Sequence, residues 1–147
     1  MKKFILPAFA FVLALSSCKK DDAAPNCEKT VAGIAGSYKV TKIESITAGI
    51  STDVTSSILD ACQLAGVIQL KSDKTFTYTE AGGTCTNNGA GTWDVVSGAL
   101  TINSTSGGSY DVDNATISSW NCSTLVVSES ANLGGITIEY RSTLTKQ

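Results

Sequence analysis

From Gly36 onward, apolar side chains recur at every second position in short runs: Tyr38 and Val40, Ile68 and Leu70, Phe76 and Tyr78, Trp93 and Val95, Leu100 and Ile102. Tyr110 and Val112 lead a run that bends before Ile117, Leu125 and Val127 form the next, and Ile136, Ile138, Tyr140 and Leu144 form the last. A two-residue period puts successive side chains on opposite faces of an extended backbone, so each run reads as a strand with one buried face. About eight such strands in quick succession predict an all-β domain of antiparallel strands, a meandering barrel or a sandwich.

The connections carry turn chemistry of their own. Gly82-Gly83, Gly107-Gly108 and Gly134-Gly135 can supply positive φ at hairpin ends, while Ser97-Gly98 and Ser72-Asp73-Lys74-Thr75 suit tight links between adjacent strands. No stretch recurs at a solenoid period. One segment departs from the alternation: Asp53 can cap a helix that carries Ile58, Ala61 or Cys62, and Ala65 on one stripe, with Gly66 ending it. A single short helix is therefore expected between the first two strands, placed to plug one end of a barrel. Thr30 to Ala35 form a second helical turn leading in.

The first residues read as a processing segment. Lys2 and Lys3 make a positive start, and Phe4 to Leu15 is apolar apart from Pro7. That run is shorter than the roughly 18 residues a membrane-spanning helix needs, so it is expected to be a cleaved export signal. Leu15-Ser16-Ser17-Cys18 resembles the lipobox of bacterial lipoproteins, which implies a diacylglycerol on the Cys18 thiol and cleavage just before it. Residues 1–17 are then the signal peptide, 18–29 a lipidated terminus and flexible tether, and 30–147 the folded domain. Two or three acyl chains, at about 0.8 kcal/mol per buried CH₂, hold such a domain at a membrane that it does not span. Lys20-Asp21-Asp22 resembles the export signal that sends lipoproteins of Bacteroidetes to the outer face of the outer membrane.

Charge narrows the partners. The chain carries 11 Lys+Arg against 13 Asp+Glu, a formal −2, so the basic footprint of a nucleic-acid binder is missing. Removing residues 1–17 takes away Lys2 and Lys3 and leaves about −4, a domain expected to stand off anionic headgroups on its tether.

Cys18 aside, Cys27, Cys62, Cys85 and Cys122 are an even number in an exported chain, which favours two disulfides. Three connectivities are open. In one, Cys62–Cys85 closes a loop worth about 3 kcal/mol and Cys27–Cys122 is the complementary pair. Zinc is disfavoured, because the cysteine spacings are long and histidine is absent.

Gly36-Ser37-Tyr38, Cys62 before Val67-Ile68-Gln69-Leu70, Ser72-Asp73-Lys74-Thr75-Phe76, Cys85, Gly91-Thr92-Trp93 and the final Arg141-Ser142-Thr143-Leu144-Thr145 together resemble the lipocalin-like domain of Bacteroidetes lipoproteins. The resemblance spans roughly residues 30–147 and implies an eight-stranded lipocalin-like meander barrel. It departs from the family pattern at Tyr38, where tryptophan is usual, and at Lys74, where a glycine usually sits. Lys74 therefore suggests a type I turn in place of a glycine-dependent one. The resemblance also implies that Arg141 packs over Tyr38 and closes one end of the barrel.

No histidine, nucleophile elbow, phosphate loop or metal-ligand cluster is present, so neither a cofactor nor an enzyme is expected. Asp111-Val112-Asp113 places two carboxylates on one side of a strand, which reads as a solvated face rather than a calcium loop. Tyr38, Phe76, Tyr78, Trp93 and Tyr140 are the candidate lining of a ligand cavity, with a place in the packed core as the default reading for each. Trp120 is expected to pack against a disulfide. The expected role is an outer-membrane lipoprotein, exposed at the cell surface, that holds a small, partly apolar ligand. The competing role is an accessory without a cavity that presents Gly82–Gly91 and Asn103–Ser109 to a protein or glycan partner.

Overall fold

The computed structural model describes residues 27–82, 84–106 and 111–147. The expected signal segment, Cys18 and most of the tether lie outside these residues, as do Gly83, Gly107, Gly108 and Tyr110. No helix among the described residues is long and apolar enough to cross a membrane.

Among the described residues nine strands form one antiparallel sheet: β1 (Gly36–Thr47), β2 (Ile50–Asp53), β3 (Val67–Leu70), β4 (Thr75–Thr79), β5 (Asn88–Val96), β6 (Ala99–Ser106), β7 (Val112–Trp120), β8 (Thr124–Leu133) and β9 (Ile136–Lys146). From β3 to β9 each strand pairs with its chain neighbour, and β9 closes onto β1 from Tyr38↔Lys146 to Thr47↔Ile138. Eight strands therefore make a closed barrel, the one of the two architectures left open by the alternation that the family resemblance implied. The ninth, β2, is a short arm folded back on the upper part of β1, Thr47 opposite Ile50. All four of its residues are exposed, so it carries no buried face for a hydrophobic pattern to reveal.

Two of the sheet's register shifts restore the inward alternation on β1 and at the end of β7. On β1, Thr41 is an extra residue between Val40 and Lys42, so the inward set runs Tyr38, Val40 and then Ile43. On β7, Ser118 is skipped between Ile117 and Ser119, which brings Trp120 back to the inside with Ala115 and Ile117. The inward faces form one core, in which Trp93, Phe76, Leu70, Leu100, Ile102 and Leu125 are essentially inaccessible. Burying each such side chain contributes roughly 1.5–3 kcal/mol. Gly91 is needed where the Phe76 ring crosses β5, since a Cβ there would lie 2.7 Å from that ring and 2.0 Å from the Asn103 carbonyl oxygen.

Between β2 and β3 the expected single helix is two, α2 (Thr55–Ile58) and α3 (Ala61–Ala65). Asp53 does not cap: its carboxylate accepts from the Thr55 N–H and hydroxyl. The break falls at Leu59, which is extended and buried, and α3 starts afresh at a capping box formed by Asp60 and Gln63. Ile58, expected on the buried stripe, is exposed. Thr55 anchors α2 to β1 by accepting from the Ile43 N–H at 2.8 Å. The expected leading turn is α1 (Val31–Ile34), capped by Thr30.

Both disulfides have the connectivity Cys27–Cys122 and Cys62–Cys85, at sequence separations of 95 and 23. The first ties the start of the described chain to the β7–β8 turn, and the second ties α3 to the β4–β5 connection.

Candidate functional site

The barrel has a closed and an open end. At the closed end α1 lies beneath the start of β1, the Tyr38 hydroxyl donates to the Ile34 carbonyl, and the Trp93 indole N–H donates to the Lys71 carbonyl at 2.8 Å. Tyr38 and Trp120 meet with ring centroids 6.2 Å apart. Burial pushes the Tyr38 hydroxyl pKa up to about 12.

Arg141 does not complete this end. It stands opposite Glu44 and Ser128, well up the barrel wall from Tyr38, and pairs with Glu139 at 3.0 Å. The inward residues of β9 are Leu144, Ser142 and Tyr140, so an odd-numbered Arg141 must point outward. The cation over the closed-end aromatics is Lys146, whose Nζ lies 5.9 Å from the Tyr38 ring centroid and 5.6 Å from that of Trp120.

Of the five aromatics expected to line a cavity, Tyr38, Phe76, Tyr78 and Trp93 are packed into the core. Tyr78 serves a structural contact, its hydroxyl 3.4 Å from Oε1 of the buried Glu80. Burial and the neighbouring Glu80 charge push the Tyr78 pKa up to about 12.

Tyr140 is different. It borders an apolar cup toward the open end, with a volume of about 60 Å³, walled by Val40, Ile43, Leu100, Ile102, Val127 and Leu144. Ser142 and Glu129 supply polar atoms to it. The cup is walled mainly by aliphatic side chains, whereas the closed end is filled by the rings of Tyr38, Trp93 and Trp120.

The wall opens beside the cup. The β7–β8 ladder stops at Thr116↔Ser128, yet β7 continues along β6 to Val112 and β8 continues along β9 to Leu133. A bulge at Asp113 and Asn114, with Asn114 in the left-handed region at φ 56°, turns β7 away from β8. The Glu129 side chain crosses the split and accepts from the Asp113 N–H at 3.1 Å. The resulting open cleft, about 670 Å³, is bordered by Asp111, Asp113, Asn114, Ser128, Glu129 and Tyr140. Glu129 and Tyr140, cross-strand partners, border both spaces, so cup and cleft adjoin across these two side chains. Among the described residues, no lysine or arginine borders either space.

Beyond the cup the inner faces of two hairpins project past the mouth. Ile138 stands opposite Thr47, which stands opposite Ile50, and Leu133 stands opposite Ile136. Ile50, Leu133 and Ile136 are exposed and make an apolar lip. Glu129, Ser142 and this lip were missed in the sequence, although parity marks them: Glu129 follows Leu125 and Val127 in step, and Ser142 lies between Tyr140 and Leu144.

Among the described residues, Cys62, Glu80 and Cys85 come close enough to suggest a metal group, but both cysteines are spent in their disulfide. No curated protein and no solved structure matches the chain. A model of the lipocalin-like domain, generally a binding rather than a catalytic fold, matches residues 34–127, and the chain belongs to that family.

Proposed function

We propose that this chain is a lipoprotein of the Bacteroidetes type, anchored through Cys18, whose barrel holds a small, partly apolar molecule at its open end. The observation that carries the binding reading is the apolar cup bordered by Tyr140 and Glu129, the same two side chains that border the β7–β8 cleft. Ligand pockets typically run to about 300–1,000 Å³, so the cup of about 60 Å³ takes only the apolar end of a ligand, and the cleft takes the rest. Among the described residues Glu129, Asp111 and Asp113 are the charged groups that border these spaces, which favours a neutral or cationic head over a carboxylate or phosphate. The anchor reading rests on the lipobox-like Leu15-Ser16-Ser17-Cys18 and the tether that follows.

Native mass spectrometry of protein purified from its own host, followed by solvent extraction, tests both parts. A lipid mass at Cys18 and a co-purifying small molecule are the expected results; a bare Cys18 thiol or an empty barrel counts against the corresponding part. A second reading is favoured by the exposed Ile50, Leu133 and Ile136: an accessory that docks an envelope protein on its apolar lip. A stoichiometric partner recovered from detergent-solubilised envelopes, with no small molecule, supports that reading.

A further inference from the structure

The described chain starts at the closed end and is pinned there. Cys27 is bonded to Cys122 in the β7–β8 turn, and Lys29 Nζ donates to the Ile117 carbonyl at 2.7 Å. Whatever precedes Cys27 therefore leaves from the foot of β7 and β8. Nine peptide units join Cys18 to Cys27, a reach of at most about 30 Å when fully stretched. Strands of 12 and 11 residues such as β1 and β9, tilted as barrel strands are, give a barrel about 25–30 Å tall. A tether running back to the mouth is used up in doing so, whereas one running away from the closed end keeps its full reach.

Charge is distributed along the same axis. At the closed end and the turns that form it stand Lys29, Lys39, Lys71, Lys74 and Lys146 against Glu28, Asp73 and Asp94. Toward the mouth the balance reverses: Lys42 and Arg141 face Glu44, Asp53, Asp111, Asp113, Glu129 and Glu139, with Asp60 and Glu80 beside them. A domain that is negative overall thus presents a positive end where its tether begins and a strongly negative end where its cup opens.

We propose that the closed end of the barrel is a membrane-facing surface, drawn by its lysines onto the anionic headgroups of the bilayer that holds Cys18, with the cup turned toward the aqueous side. The proposal rests on the anchor reading above. It reverses the expectation that net charge alone holds the domain off the membrane, because within a Debye length the near end dominates the interaction. It also assigns the source of the ligand, which reaches the cup from solution rather than out of the lipid.

The test uses the lipidated full chain in phosphatidylcholine vesicles containing phosphatidylglycerol, treated with a membrane-impermeant amine-acetylating reagent, with each lysine read by peptide mass spectrometry. Relative to Lys42 in the same molecules, Lys71 and Lys74 are expected to react about fivefold more slowly than in detergent micelles, and high salt is expected to remove part of that protection. Vesicle-floating protein in which Lys42 is slowed instead, or in which all three lysines react alike, overturns the orientation and leaves the anchor reading standing. A chain that carries no lipid at Cys18 and does not float with the vesicles overturns both.

Discussion

Tyr38 and Lys146 stand opposite one another where the first strand meets the last, and the lysine ammonium lies over the tyrosine ring while donating to the Ala35 carbonyl at 3.0 Å. The aliphatic part of Lys146 lies across Gly36, where a Cβ would come within 2.4 Å of it, so the glycine makes room for the closure. Replacing the ammonium while keeping the hydrocarbon, as in Lys146→Met, removes two cation–π contacts and a charged hydrogen bond. The expected loss of stability is about 2 kcal/mol, with Lys146→Arg losing less. Urea unfolding of the two variants measures this; a loss for Lys146→Met no greater than for a surface lysine means that the ammonium is solvated.

The two buried tyrosines make the barrel sensitive to alkali. Both Tyr38 and Tyr78 are held protonated up to about pH 12, while an unfolded tyrosine ionises near 10. Between those values the folded state binds more protons than the unfolded state, so stability falls as pH rises. Their contribution is intact below pH 10 and declines toward 12, by roughly 2–3 kcal/mol for each tyrosine. Denaturant midpoints taken from neutral pH to 12 are expected to fall in this window, and more shallowly for Tyr78→Phe. A flat profile rules out burial as the cause.

Lys74 occupies the glycine position of the family's turn without changing the backbone that glycine favours. Its N–H donates to the Lys71 carbonyl at 3.0 Å with neither Ser72 nor Asp73 at positive φ, which fits the expected type I turn, yet its own φ is 66°, so a glycine-favouring position remains at its end. An L-residue there costs about 1–2 kcal/mol, against about 0.5–1 kcal/mol for the added freedom of an unfolded glycine. The exposed ion pair to Asp94 offsets little of this. Lys74→Gly is expected to stabilise the fold by about 0.5 kcal/mol, and by more in an Asp94→Asn background, as read by thermal and urea unfolding. Destabilisation in both backgrounds excludes a left-handed Lys74 in solution.

The barrel was legible because its eight strands each bury one face, which leaves a mark at every second residue. The arm β2 buries nothing and left none. The helix break was present in the sequence: Asp60 and Gln63 form a capping box, a more specific start signal than Asp53 alone, and Leu59 sits between the two helices as a core residue. For the large aromatics core is the default reading, and Tyr38, Phe76, Tyr78 and Trp93 do fill the space they face; the cup lies instead where Val40, Val127 and Ser142 join an aliphatic lining, which alternation alone does not mark. Arg141 could have been assigned outward by parity with Tyr140 and Leu144. The closing role of Lys146 could not, because it depends on where the chain end meets Gly36 and Trp120 in space.

Ser142 offers the cleanest way to close the cup without disturbing the core, since it is half-buried, borders the cup and lies on β9 between two inward residues. Leucine at this position occupies the space into which the apolar end of a ligand would go, and it adds buried hydrocarbon to a wall that is already apolar. Ser142→Leu is therefore expected to weaken binding of the neutral fluorescent probe N-phenyl-1-naphthylamine by about tenfold or more, equivalent to about 1.4 kcal/mol, while leaving the melting temperature unchanged or higher. Glu129 sets the companion result. Octylamine, charged at neutral pH, is expected to compete with the probe better than octanoate does, and Glu129→Gln to narrow that difference, because it removes the one carboxylate that borders both cup and cleft. Unchanged probe affinity in Ser142→Leu would place the binding site elsewhere. A preference for octanoate that survives Glu129→Gln would leave the cup in place but refute the charge selection argued for it.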